Sequence, residues 1–154
     1  MNDKKISLEY ANSLIYDLEK AFWDERGRGA RFRTTKVGQA YFTDKFLPLI
    51  ESPELDHILQ VIEEVLQEEG IAASVSHDKE DRLLHIRVEG CVHRQVEERM
   101  LSLDIEPFTC VPANLIVLAI EEKLDRPVEL AEVKLEEGVC QLLLVVFEGR
   151  PTLE

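Results

Sequence analysis

Four side chains of this sequence are the best suited to chemistry: Cys91, His93, Cys110 and Cys140. Thiolate and imidazole are good ligands for zinc and other borderline or soft metals. The spacing, Cys-x18-Cys-x29-Cys, does not match a zinc finger, whose paired ligands lie about two to four residues apart. The plain alternative is that these cysteines are small core hydrophobes, as free cysteines usually are. Strand order decides between the two. If the strand around Leu84 lies antiparallel beside the one around Leu143, Cys91 and Cys140 share an edge. Three thiols with His93 or water then make a tetrahedral zinc site. If the last strand pairs with residues 71–77 instead, the two cysteines fall at opposite edges. Cys110 precedes an apolar helix, whose dipole would favour a thiolate. A nucleophile also needs a positioned base, and nothing near His93 resembles an orienting carboxylate motif. No phosphate loop, HExxH motif or nucleophile elbow is present, so no catalytic residue is assigned and the chain is not read as an enzyme.

The segment from Arg26 to Lys36 gathers Arg26, Arg28, Arg31 and Arg33 in an otherwise acidic chain. Arginines grip carboxylates and phosphates bidentately, so these four are candidates for an anionic ligand or an acidic surface. The alternative is a solvated interhelix loop offsetting acidic helices. Gly27-x-Gly29 is no dinucleotide fingerprint, because no strand precedes it and the third glycine is missing. His57 and His77 read as exposed polar residues, and His85 as pointing away from Leu84 and Ile86 with Leu83 and Arg87.

The 154 residues suit one domain. A core of this size needs neither disulfide nor metal, since such a domain buries roughly 70% of its unfolded surface. Eighteen basic against 31 acidic residues give a formal charge of −13. That field repels nucleic acid and anionic membrane surfaces. No apolar run approaches the roughly 18 residues of a membrane span. The N-terminus does not read as a secretory signal, and three cysteines suggest reduced thiols in the cytoplasm as the expected setting.

The elements that would position these residues follow from periodicity. Residues 6–25 form an amphipathic helix with Leu8, Ala11, Leu14, Ile15, Leu18 and Phe22 on its apolar stripe and Asn12 and Glu19 opposite. A second helix is expected from a Thr34 or Thr35 N-cap to about Leu47, burying Val37, Ala40, Tyr41 and Phe46. A third starts at Ser52-Pro53-Glu54 and ends at Gly70. A hairpin follows, with alternation at Ile71, Ala73 and Val75, then at Leu84, Ile86 and Val88, around an Asp78–Asp81 turn. Helices over 92–104 and 111–124 precede a second hairpin, Val128–Leu135 and Val139–Phe147. A parity change there predicts a bulge near Ala131 or Glu132. The last strand, apolar on both faces, should lie centrally and be covered on each side. The fold class is therefore α+β: a four-stranded antiparallel sheet from two hairpins, with N-terminal and intervening helices packed on it.

The stretches Gly38-Gln39-Ala40-Tyr41-Phe42, Val88-Glu89-Gly90-Cys91-Val92-His93, Pro107-Phe108-Thr109-Cys110, Pro127-Val128-Glu129 and Gly138-Val139-Cys140 resemble the 4-vinyl-reductase-like and methanogen output domains. The resemblance covers roughly residues 35–147, leaving 1–30 as an N-terminal helical extension. Val92 stands where that family commonly has proline, and the Asp that often follows the glycine of Gly-x-Cys is missing. The resemblance implies a fold shared with haem–nitric-oxide-binding domains and vesicle-tethering TRAPP subunits. It also implies a small apolar ligand held between helices and sheet, with metal bound through the cysteines in some members. No histidine is marked out as a haem ligand. The expected function is a small-ligand-binding or sensory domain, with Phe42, Phe46, Leu115 and Leu118 lining an apolar pocket. The alternative is a protein-interaction subunit, a homodimer formed through the N-terminal helix around Phe22-Trp23.

Overall fold

The computed structural model describes residues 5–30 and 36–148. Helix α1 (Leu8–Arg26) begins where the Ser7 side chain accepts the Tyr10 N–H at 3.1 Å. Helix α2 (Gln39–Lys45) starts from Gly38, whose φ of 99° lies in the left-handed region that glycine tolerates. The expected caps Thr34 and Thr35 fall outside the described residues, and the helix is shorter than predicted. It buries Phe42 and Phe46, while Val37 and Ala40 are exposed. Helix α3 (Leu55–Glu68) has Glu54 as its N-cap, two residues after the predicted Ser52. Ser52 Oγ accepts the Glu54 N–H at 3.2 Å, and the first helical bond runs from Ile58 N–H to Glu54 O.

Strands β1 (Ser74–Glu80) and β2 (Leu83–Glu89) form the first hairpin. Its turn is Asp81-Arg82, later than the acidic run suggested, because Glu80 pairs with Leu83 and Asp81 takes a φ of 55°. Aspartate accepts that conformation more readily than most residues. Helix α4 (Arg94–Ser102) and helix α5 (Val111–Leu124) lead into β3 (Val128–Glu136) and β4 (Val139–Val146). The predicted bulge is there: register shifts between Leu130 and Glu132.

The sheet order is β1-β2-β4-β3, antiparallel throughout. On its inner face Leu84, Ile86, Val88, Cys140, Leu142, Leu144 and Val146 are buried in the main core, with α3 and α5 against them. The other face departs from expectation. Its β4 side chains Val139, Gln141, Leu143 and Val145 are half-buried and its β2 residues Leu83, His85 and Arg87 exposed. Only β4 is apolar on both faces, and its outer side chains are left half-buried because α3 and α5 pack on the inner face. His77 is also corrected: it is half-buried, with Nδ1 2.6 Å from Glu63 on α3. No helix among the described residues is long and apolar enough to cross a membrane.

A smaller core joins α1 to α4. Ala30, Met100, Ile105 and Phe108 are its buried members, with Tyr16, Phe22 and Trp23 packed against them. The Trp23 and Phe108 rings lie 5.4 Å apart, and the Arg99 guanidinium sits 3.9 Å above the Tyr16 ring. This core turns α1 away from the expected stripe. Asn12, Tyr16, Glu19 and Trp23 face inward, and Leu8, Leu14 and Leu18 are exposed. Aromatic rings bury more surface than leucines, so the ring-bearing face wins.

Gly90 connects β2 to the segment carrying Cys91 and His93. Its φ is 67°, and a Cβ there would lie 2.7 Å from the Ala73 Cβ. Gly90→Ala is expected to cost about 1–3 kcal/mol from strain and contact together. Urea unfolding compared with wild type measures it; an unchanged midpoint would contradict this account.

Candidate functional site

The pairing of β2 with β4 puts Val88 opposite Cys140 and Glu89 opposite Val139. Cys91 and Cys140 therefore come to one edge of the sheet, as the first of the two strand orders required. Cys110, at the N-cap of α5, joins them there. Helix α4 crosses this edge and brings Glu97, only 6% exposed, among the thiols.

Each of these groups is already engaged. Cys140 Sγ donates to Glu97 Oε2 at 3.1 Å, and Cys91 Sγ accepts the His93 N–H at 3.4 Å. His93 Nδ1 lies 3.1 Å from Asn12 Oδ1, while Asn12 Nδ2 donates to Val92 O at 2.7 Å. Asn12 is buried, so both ends of its amide are used to dock α1 onto the Cys91–His93 segment. The expected zinc set of Cys91, His93, Cys110 and Cys140 is corrected accordingly. Among the described residues no group of three or more His, Cys, Asp and Glu side chains is placed to hold a metal ion. The Cys140 thiol is engaged by the Glu97 carboxyl and the Cys91 sulfur by a backbone amide.

Electrostatics agree with that arrangement. Burial, reinforced by Glu97, pushes the Cys110 thiol well above its ordinary value and also raises Cys140. Cys91 rises to about 11, chiefly through burial. Burial thus holds all three toward the neutral thiol, outweighing the helix dipole that would favour a thiolate at Cys110. Loss of solvent lowers the His93 pKa, favouring neutral imidazole. Glu97 is raised by burial although the Cys140 thiol supports its charge. Glu19, facing the same region from α1, is raised to about 7 by burial and then by Glu97.

Beside this cluster lies a cavity of about 420 Å³. Ile15, Leu18, Glu19 and Phe22 of α1 form one wall, and Val96 and Glu97 of α4 another. Cys91, His93, Thr109, Cys110, Val111, Pro112 and Val37 complete it. Exposed Leu18 and Val37 mark its mouth. The predicted pocket residues lie elsewhere. Phe42, Phe46 and Leu115 are buried members of the main core, and Leu118 packs against that core. Those side chains fill the space between α2, α3 and α5, whereas the cavity opens where α1 crosses α4 and the start of α5. Arg26 and Arg28 are exposed at the end of α1 and in the turn Gly27–Gly29. Arg31 and Arg33 fall outside the described residues.

Glu19, Glu97 and Asn12 were not singled out from sequence. Asn12 and Glu19 look like ordinary polar-face residues of an amphipathic helix. The available signal was their place on one stripe with Tyr16, Phe22 and Trp23. Glu97 carried a fainter one, standing beside Val96 and three residues before Met100 on a short helix.

The raised Glu19 pKa has a sign that can be checked. Relative to the ionised state, the stability this group contributes is complete below about 4.5 and is lost as pH rises through about 7. Glu19→Gln should therefore stabilise the protein by about 1–2 kcal/mol at pH 8, with the gain fading below pH 5. Denaturant melts of both proteins across that range test it; a pH-independent difference would contradict it.

No protein-family model matches the chain, and no curated protein or solved structure shows a significant match to it.

Proposed function

We propose that this chain is a small-ligand-binding regulatory domain of the 4-vinyl-reductase-like kind, acting in the cytoplasm where its thiols stay reduced. One observation carries the reading: a cavity of about 420 Å³ with apolar walls and a few converging polar groups, Glu19, Glu97, His93 and Thr109. Ligand sites commonly have volumes of roughly 300–1,000 Å³ and this mixture of wall chemistry. The resembling segments around Cys91 and Cys110 both contribute to the wall, which supports the same conclusion. The three neutral thiols favour binding over covalent chemistry.

The test is a thermal-shift screen of small neutral aromatic and aliphatic compounds against wild type and Ile15→Trp. A ligand at about 100 times its Kd should raise the wild-type Tm by roughly 5–10 °C. The indole ring of Ile15→Trp should occupy the cavity and abolish the shift without lowering the unliganded Tm by more than a few degrees. Equal shifts in both proteins would place binding elsewhere.

A second reading, a homodimer formed with another copy of this chain, is favoured by the exposed side chains Leu8, Leu14 and Leu18 on α1. Trp23 is committed to the smaller core, so the informative change lies on the outward stripe. Leu14→Glu should halve the mass measured by light scattering while leaving Tm within about 2 °C. A wild type that is monomeric at micromolar concentration removes this reading.

A further inference from the structure

We propose that the cavity selects a small apolar amine, whose ammonium group is received by Glu19 and Glu97 and whose hydrocarbon fills the space between Ile15, Phe22, Val96 and Val111. The inference rests on the cavity being a ligand site and names the class of molecule it takes. Glu19 and Glu97, from two different helices, are among its lining residues, and no lysine or arginine is among the described residues that line it. Glu97 is 6% exposed, and its Oε2 accepts a hydrogen bond from the Cys140 thiol.

A buried carboxylate without a compensating cation is expensive, which is why such groups take up protons instead. An ammonium group reverses that balance: it supplies charge-assisted hydrogen bonds that the apolar wall makes stronger than they would be in water. The groups facing the pair reinforce the selection. His93 is held toward its neutral form and brings no competing charge. Cys91, Cys110 and Cys140 are neutral thiols. Glu98, next along α4, adds negative potential at Glu97. Arg94 lowers the Cys91 and Cys140 thiols against the effect of burial, but it does not line the cavity. A carboxylate ligand would meet two acids and no base. A neutral alcohol would find the apolar space without the charge pairing.

Amine binding must also release protons, because Glu19 and Glu97 ionise as the ammonium arrives. Affinity should therefore rise from pH 5.5 to pH 8, over which an aliphatic amine with a pKa near ~10 stays charged.

Isothermal titration at pH 8 with phenethylamine, phenethyl alcohol and phenylacetate tests the proposal, using wild type, Glu19→Gln and Glu97→Gln. The amine should bind at least about tenfold tighter than the alcohol, and phenylacetate weakest of the three. Each Gln variant should bring the amine close to the alcohol while leaving the alcohol unchanged. Should the buried Glu97→Gln protein not fold, the half-buried Glu19→Gln decides alone. An alcohol or carboxylate that matches or exceeds the amine overturns the amine selectivity and leaves the cavity as a ligand site. Failure of all three probes to bind overturns the ligand-site reading, and the amine proposal with it.

Discussion

The antiparallel pairing of β2 with β4 is the constraint on which the remaining structure depends. It fixes Val88 against Cys140 and Ile86 against Leu142, making one continuous apolar face from two hairpins distant in sequence. Helices α3 and α5 pack on that face, and their positions then determine where the segment after Gly90 and the start of α5 can run. A slip of one residue would turn every inward side chain of β4 outward. The candidate site therefore inherits its geometry from a sheet register that none of its side chains sets.

Helix α1 is held by a different kind of interaction. Its contribution to the main core is slight, and its anchors are a buried amide, Asn12, and a cluster of rings around Phe108. A polar anchor is selective because each unmade hydrogen bond would leave a buried group unsatisfied. Asn12 reads the Val92 carbonyl and the His93 ring together, which fixes both the depth and the rotation of the helix. That rotation carries Glu19 inward and leaves Leu18 at the cavity mouth. One face of α1 thus closes the cavity, while the other presents leucines outward.

Chemistry at the site follows from desolvation. Three thiols, two carboxyls and an imidazole share a region where water is largely excluded, and each shifts toward its neutral form. The same residues in water would be more ionised and more reactive. Exclusion of water gives a lining that is quiet toward covalent chemistry. The Glu19 carboxyl, raised to about 7, stands near the midpoint of its ionisation at neutral pH.

Sequence by itself determined the α+β class, the two hairpins, the bulge near Glu132 and the limits of the helix from Val111 to Leu124. These features rest on local periods of two and 3.6 residues and on turn chemistry, which a linear reading contains. It also brought forward Cys91, His93 and Cys110, which do border the cavity. Tertiary structure decided what those residues do. Whether Cys140 faces a metal or Glu97 depends on where α4 crosses the sheet edge, and no local pattern encodes that crossing. Phe46 was legible as buried and Phe42 was read as a pocket wall, but burial is shared by a filled core and a pocket wall, and only packing separates the two. The rotation of α1 was decided in the same way: leucines and aromatic rings on adjacent stripes were both eligible for burial, and Phe108 and Met100, some 80 residues away, supplied the partners that chose the rings.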